Sequence, residues 1–201
     1  MRLRLASTMF AAALLGACQL PGAPPPEATF DFGLPYAAPV QAGSIRGTIL
    51  VPEVASPEWL DSPAIVYRLA YDDAARTRIY SRSRWAAPPP SLVTQRLRAA
   101  VALASGGLLV QPQDAVRADW VLRVDLEEFS QVFEVSDKSR AYVRMRATLI
   151  RATERGVVAQ RTFGTERTAA SADAVGGAKA LASGADELVD AIVAWVAVQT
   201  R

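Results

Sequence analysis

Apolar and polar residues alternate most strictly from Trp120 to Glu127. Trp120, Leu122, Val124 and Leu126 take one side, and Val121, Arg123, Asp125 and Glu127 take the other. A period of two marks a strand with one face buried. Glu127-Glu128 falls out of phase with Phe129 and Phe133, which predicts a bulge there. Ser136-Asp137-Lys138-Ser139 reads as the turn into a second long strand, with Val143, Met145, Ala147 and Leu149 on one face and Arg144, Arg146 and Thr148 on the other. Gly156 turns into a third strand that carries Val157, Ala159 and Phe163.

From about Asp173 to Gln199 the period lengthens. Leu181, Ala185, Leu188, Ile192 and Trp195 recur at three- and four-residue steps, while Asp186, Glu187 and Asp190 interrupt the apolar run. This predicts an amphipathic packing helix rather than a membrane span. Gly176-Gly177 reads as a loose start to that helix. A second helix is expected from Ser91, as N-cap, to Ser105. Its stripe is Val93, Leu97, Ala100, Val101 and Ala104, with Arg96 and Arg98 off it, and Gly106-Gly107 is its left-handed stop.

Shorter strands precede it: Phe30–Leu34, Ser44–Val54, Ala64–Leu69, and Thr77–Trp85 after a turn at Tyr71-Asp72-Asp73. Leu108–Val110 follows the helix as another. Runs of strands followed by helices give an α+β fold, an antiparallel β-sheet with two amphipathic helices packed on one face.

The N-terminus has a different character. Arg2 and Arg4 precede an apolar run from Leu5 to Leu15 that is too short to span a bilayer. It ends in Leu15-Gly16-Ala17-Cys18, which resembles the bacterial lipobox, where the cysteine thiol is acylated and becomes the first residue after cleavage. In such lipoproteins an aspartate after the cysteine marks retention in the inner membrane, and Gln19 in its place implies the outer membrane. Cys18 is the one cysteine of the chain, so its lipidation leaves no thiol for a disulfide, metal or nucleophile. The expected layout is a signal peptide at 1–17, an acylated Cys18 with a Pro-rich tether at 18–29, and a single α+β domain at 30–201. Pro21, Pro24, Pro25 and Pro26 stiffen the tether, which reaches roughly 35 Å at about 3.1 Å per residue.

Cleavage before Cys18 also removes Arg2 and Arg4 and no acid, taking 22 basic residues to 20 against 20 acidic ones. A chain so balanced is not expected to bind nucleic acid. It has no His, which removes the commonest general base and metal ligand together. No cofactor or metal is expected. Seven acids fall between Asp114 and Asp137, and eight bases between Lys138 and Arg167. Folded as a hairpin, these segments bring Asp125 and Glu127 near Arg144 and Arg146, a solvated face of matched charges. The competing hydrolase reading needs Glu127 and Glu128 to converge, which adjacent strand residues do only across a bulge.

Trp59-Leu60-Asp61-Ser62-Pro63 with Ile65-Val66-Tyr67-Arg68, then Arg84-Trp85-Ala86-Ala87-Pro88-Pro89 and an amphipathic helix, resembles the ABC-type transport auxiliary lipoproteins. Trp59 stands where a smaller aromatic is expected. The resemblance implies a non-enzymatic accessory lipoprotein on the inner leaflet of the outer membrane, facing the periplasm. Its implied partners are an MCE-domain protein with its inner-membrane permease and ATPase, and its implied cargo is a phospholipid or sterol-like molecule. Trp59, Asp61, Arg84 and Trp85 become candidate partner-binding residues, although Trp85 also reads as a core aromatic and Asp61 as the cap of its own turn. A homo-oligomer is compatible with this reading. The alternative function is a structural lipoprotein that scaffolds an outer-membrane protein.

Overall fold

The computed structural model describes residues 26–34, 42–114, 116–154 and 156–201. Cys18, the signal segment and most of the Pro-rich run lie outside them. In chain order the described elements are β1 (Ala28–Phe30), β2 (Ile49–Leu50), β3 (Ala64–Leu69), β4 (Asp73–Trp85), α1 (Pro89–Ala104), β5 (Leu109–Val110), β6 (Trp120–Val135), β7 (Lys138–Arg151), β8 (Gly156–Thr168) and α2 (Ala174–Gln199).

β6, β7 and β8 form a long antiparallel meander, and Val135↔Lys138 closes its first hairpin around Ser136-Asp137. The far edge of β6 is shared. Its first residues take β2 in parallel, with β5 beyond, and its second half takes β3 in parallel. β4 pairs antiparallel with β3, and β1 lies parallel on the last residues of β4. The fold is therefore α+β, with a mixed, mostly antiparallel sheet of eight strands and two helices packed against it.

The period-two pattern sorts the faces as expected. Leu122, Val124, Leu126, Val143, Met145, Ala147 and Leu149 are buried in one core with Leu97 and Val101 of α1 and Leu181, Ala185, Leu188 and Ile192 of α2. The register breaks between Leu126 and Glu128, so the bulge falls where the phase slip predicts it. Beyond the bulge Phe129 returns to the core opposite Val143, while Glu127 and Glu128 both serve the outer face.

Four local readings change. The strand expected at Phe30–Leu34 is Ala28–Phe30, so Ala28 and Thr29 belong to the folded sheet rather than the tether. Within Ser44–Val54 only Ile49 and Leu50 form a strand, although Ile45 and Val51 are buried. α1 starts at Pro89 behind Pro88, not at Ser91: proline suits a first helical turn, where its missing N–H has no partner to lose. Gly106 and Gly107 do end it with positive φ (64° and 89°).

The fourth change is at Gly176-Gly177, which is a tightly packed first turn and not a loose start. Both glycines are buried. A Cβ on Gly176 would collide with the Ser171 backbone and one on Gly177 with the Gln131 amide. The Asp173 carboxylate caps α2 by accepting from the Gly176 N–H at 2.8 Å. That bond, with the Ser171 hydroxyl, holds Asp173 below the usual carboxylate range.

Candidate functional site

The outer face of the sheet is a lattice of ion pairs. Arg144 Nε lies 2.9 Å from Glu127, and Arg146 bridges Asp125 and Glu127 at 3.3 Å each. Glu128, on the same face, reaches toward β3 and meets Arg68 at 3.1 Å. Glu127 is thus held by two guanidiniums and Glu128 by a third.

The candidate partner residues fall in two places. The Trp59 ring is 37 % exposed in a single 3-10 turn, Glu58–Leu60, and Arg68 stacks over it at 5.3 Å. Because Arg68 also holds Glu128, Trp59, Arg68 and Glu128 make one continuous cluster, with Trp59 its most exposed member. Asp61 is exposed beside it. Its N–H closes the turn on the Glu58 carbonyl, while the Ser62 hydroxyl, not the Asp61 carboxylate, accepts from the Ala64 N–H. Arg84 lies apart, at the start of the pairing between β3 and β4, and reaches Glu27 at 3.3 Å.

Trp85 does not join them. It is 1 % exposed and packs between Phe32 and Phe129, each ring at 5.6 Å. The two-fold alternation puts the residue after exposed Arg84 on the core side, so a partner contact through Trp85 gives way to a packing role.

The strongest polar arrangement inside the molecule went unread in the sequence. Arg96 of α1 is 8 % exposed and lies 3.0 Å from Asp186 of α2. The same guanidinium donates to the carbonyls of Phe32, Gly33 and Leu34. Burial pushes Asp186 up to about 6, against the pull of Arg96 and with the push of Asp190. A signal was present: Arg96 follows Leu92 and precedes Ala100 by one helical turn each, on the buried stripe.

The neighbouring segment Asp31 to Gly33 has a cleft on each side. The cleft toward α2, about 470 Å³, is lined by Thr29, Phe30, Lys179, Ala182 and Asp186, among others. The cleft toward α1, about 240 Å³, is lined by Leu92, Gln95, Arg96 and Ala99 with the same chain segment. Both are open grooves.

A second buried polar set ties β4, β6 and β7. Gln131, fully buried, donates to the Ser139 hydroxyl at 2.7 Å and accepts from the Tyr80 hydroxyl at 2.9 Å. Burial pushes the Tyr80 phenol well above its ordinary range. At the opposite end, Asp119 accepts from the Thr48 N–H and hydroxyl, which holds it below the usual carboxylate range. Among the described residues no three acidic, histidine or cysteine side chains are grouped as a metal would need. No described helix is long and apolar enough to cross a membrane.

The fold is found elsewhere. Protein XCC0632 from Xanthomonas campestris superposes with a TM-score of 0.71 at 21% identity, covering 81% of this chain and 93% of that one. An uncharacterized protein gives 0.64 at 17% identity, over 85% and 99%. A hypothetical protein from Chlamydia trachomatis gives 0.50 at 10%, over 77% and 98%. These likenesses concern fold alone. No curated protein matches the chain in sequence. A family model does, over residues 32–193, a span that runs from the Phe32 core contact through α1 and the meander into α2. On that match the chain belongs to the ABC-type transport auxiliary lipoprotein component family.

Proposed function

We propose that this auxiliary component works as a tethered, non-enzymatic dock. Acylated at Cys18 and seated in the inner leaflet of the outer membrane, it meets a periplasmic MCE-domain protein whose permease and ATPase lie in the inner membrane. Together they form a covered route for a phospholipid or sterol-like molecule. The observation that carries the reading is the family match over residues 32–193, joined to a lipobox at Cys18. Two or three acyl chains make the anchor effectively permanent. A covered route is needed because exposed acyl chains cost about 25 cal/mol per Å² in water.

The geometry supports a binding role over a chemical one. The acids that a hydrolase would use, Glu127 and Glu128, are engaged by Arg144, Arg146 and Arg68. The Trp59–Arg68–Glu128 feature and exposed Asp61 offer a mixed aromatic and charged surface of the kind that partners recognise.

The test is reach. Because Ala28–Phe30 is part of the sheet, the linker to shorten is Gln19–Pro26. A variant lacking these residues is expected to melt like the native chain yet to leave lipid uptake, or outer-membrane permeability, as impaired as a full deletion does. A short-linker variant with normal transport contradicts the tethered dock.

A further inference from the structure

β4 is an edge strand that is only partly covered. β1 lies along Ser83–Trp85, and Arg68 takes the carbonyls of Ala74 and Ala75 at the other end. Between them, Thr77, Arg78 and Ile79 pair with β3, with register shifts on either side, and no described strand lies on the other side of Arg76 to Arg82. This stretch is exposed apart from the half-buried Arg78 and Tyr80, and Ile79 is 62 % exposed. An open edge with free N–H and C=O groups is a template for another strand.

The charge on this edge is one-sided. Arg76 and Arg82 are exposed, and no carboxylate is paired with either among the described residues. Arg78 holds Asp72 at 2.7 Å, and Arg84 holds Glu27 at 3.3 Å. That last pair is informative. β1 is already an added strand, and it brings a carboxylate to the arginine row at its first turn of register, since Ala28 lies opposite Ser83. Pro24, Pro25 and Pro26, which precede that strand in the sequence, offer no backbone donors to a ladder.

We infer that the Arg76–Arg82 edge of β4 accepts an extended acidic segment of a partner protein as a further strand, continuing the ladder that β1 begins. Main-chain bonds would supply the attachment, and carboxylates of the added strand would meet Arg76, Arg78 and Arg82 along the edge. The other long open edge, β8, is a poor occupant from a second copy. Its Arg161 and Arg167 would lie against the β4 arginines, with Glu166 the one acid in the strand. The inference concerns how a partner attaches and does not require that partner to be an MCE protein.

The test uses isotope-labelled full chain carrying Cys18→Ser and a blocked seven-residue peptide that alternates glutamate with valine and threonine. On addition of the peptide, the amide signals of residues 76–82 are expected to shift and to gain protection from exchange, while those of β8 stay in place. Arg76→Glu with Arg82→Glu, both at exposed positions, is expected to weaken the peptide about tenfold without changing the melting temperature. Methylating the peptide's alternate backbone nitrogens is expected to abolish binding. No shift at excess peptide, shifts that map to another surface, or equal binding by the methylated peptide would each overturn the strand-addition proposal. Binding of anionic phospholipid vesicles at these residues, with none of the acidic peptide, would overturn it in favour of a membrane contact.

Discussion

Arg96 of α1 and Asp186 of α2 meet at 3.0 Å across the helix pair, and the same arginine holds the chain at Phe32, Gly33 and Leu34. One buried cation thereby joins both helices to the segment that enters the fold from the N-terminal side. Removing one partner of a buried pair leaves the other uncompensated, at about 3–5 kcal/mol. Arg96→Met is expected to lower stability by that order and to loosen the segment at residues 31–34. Chemical denaturation with hydrogen exchange of those amides measures both, and an unchanged midpoint would show that the pair carries no such weight.

The burial of Asp186 also sets a pH dependence. Asp186 is raised to about 6 in the folded chain from an ordinary value of 3.8. Its contribution is therefore fully present below the ordinary value and is lost as pH rises through about 6. Asp119 and Asp173 are lowered, so their contributions run the opposite way and fade in acid. Asp186→Asn is expected to remove the loss of stability between about pH 4 and pH 7 while leaving the acid limb intact. Melting of both chains across that range reads the difference, and parallel curves would refute the assignment.

Gly177 sits where a methyl group would strike Gln131. Gly177→Ala is expected to cost about 1–3 kcal/mol through overpacking. Gln131→Ala frees the space but leaves the Tyr80 and Ser139 hydroxyls without their partner. The double variant is then expected to be more stable than the two single losses added together, and a strictly additive cycle would deny the contact.

The meander was legible because its alternation is strict, and the break between Leu126 and Glu128 because it interrupts that alternation. β2 was overread, since a buried apolar run such as Ile45 to Val54 carries no period of its own. The parallel seating of β3 on β6 depends on contacts distant in sequence, which local patterns do not encode. Arg96 was set off its helix stripe because a charge is expected outside, and only the three carbonyls and Asp186 explain it inside. Among the candidate partner residues, alternation alone could have separated Trp85 from Arg84. The exposure of Trp59 and its stacking with Arg68 needed the fold.

The outer-face charges are expected to be dispensable one at a time. Arg144 is half exposed and its bond to Glu127 is shared with Arg146. Glu127→Gln should change stability by under about 0.5 kcal/mol and leave transport at its native level. Loss of transport in a well-folded Glu127→Gln variant would reopen a chemical role for this acid.

Cys18 is the sole thiol of the chain. Cys18→Ser is expected to yield a protein that takes up no labelled fatty acid and leaves the membrane fraction. Equal label on native and variant protein would remove the anchor from the account.

The central claim is that the folded part docks on an MCE-domain protein. The direct measurement is a mild crosslink in the native bacterium, followed by purification of this chain and identification of what is attached. An MCE-domain protein is expected as the principal partner, and the crosslink is expected to be lost when Trp59 and Arg68, whose guanidinium lies 5.3 Å from the ring centre, are replaced together by alanine. An outer-membrane β-barrel as the principal partner, with no MCE-domain protein recovered, would contradict it and select the scaffolding role instead.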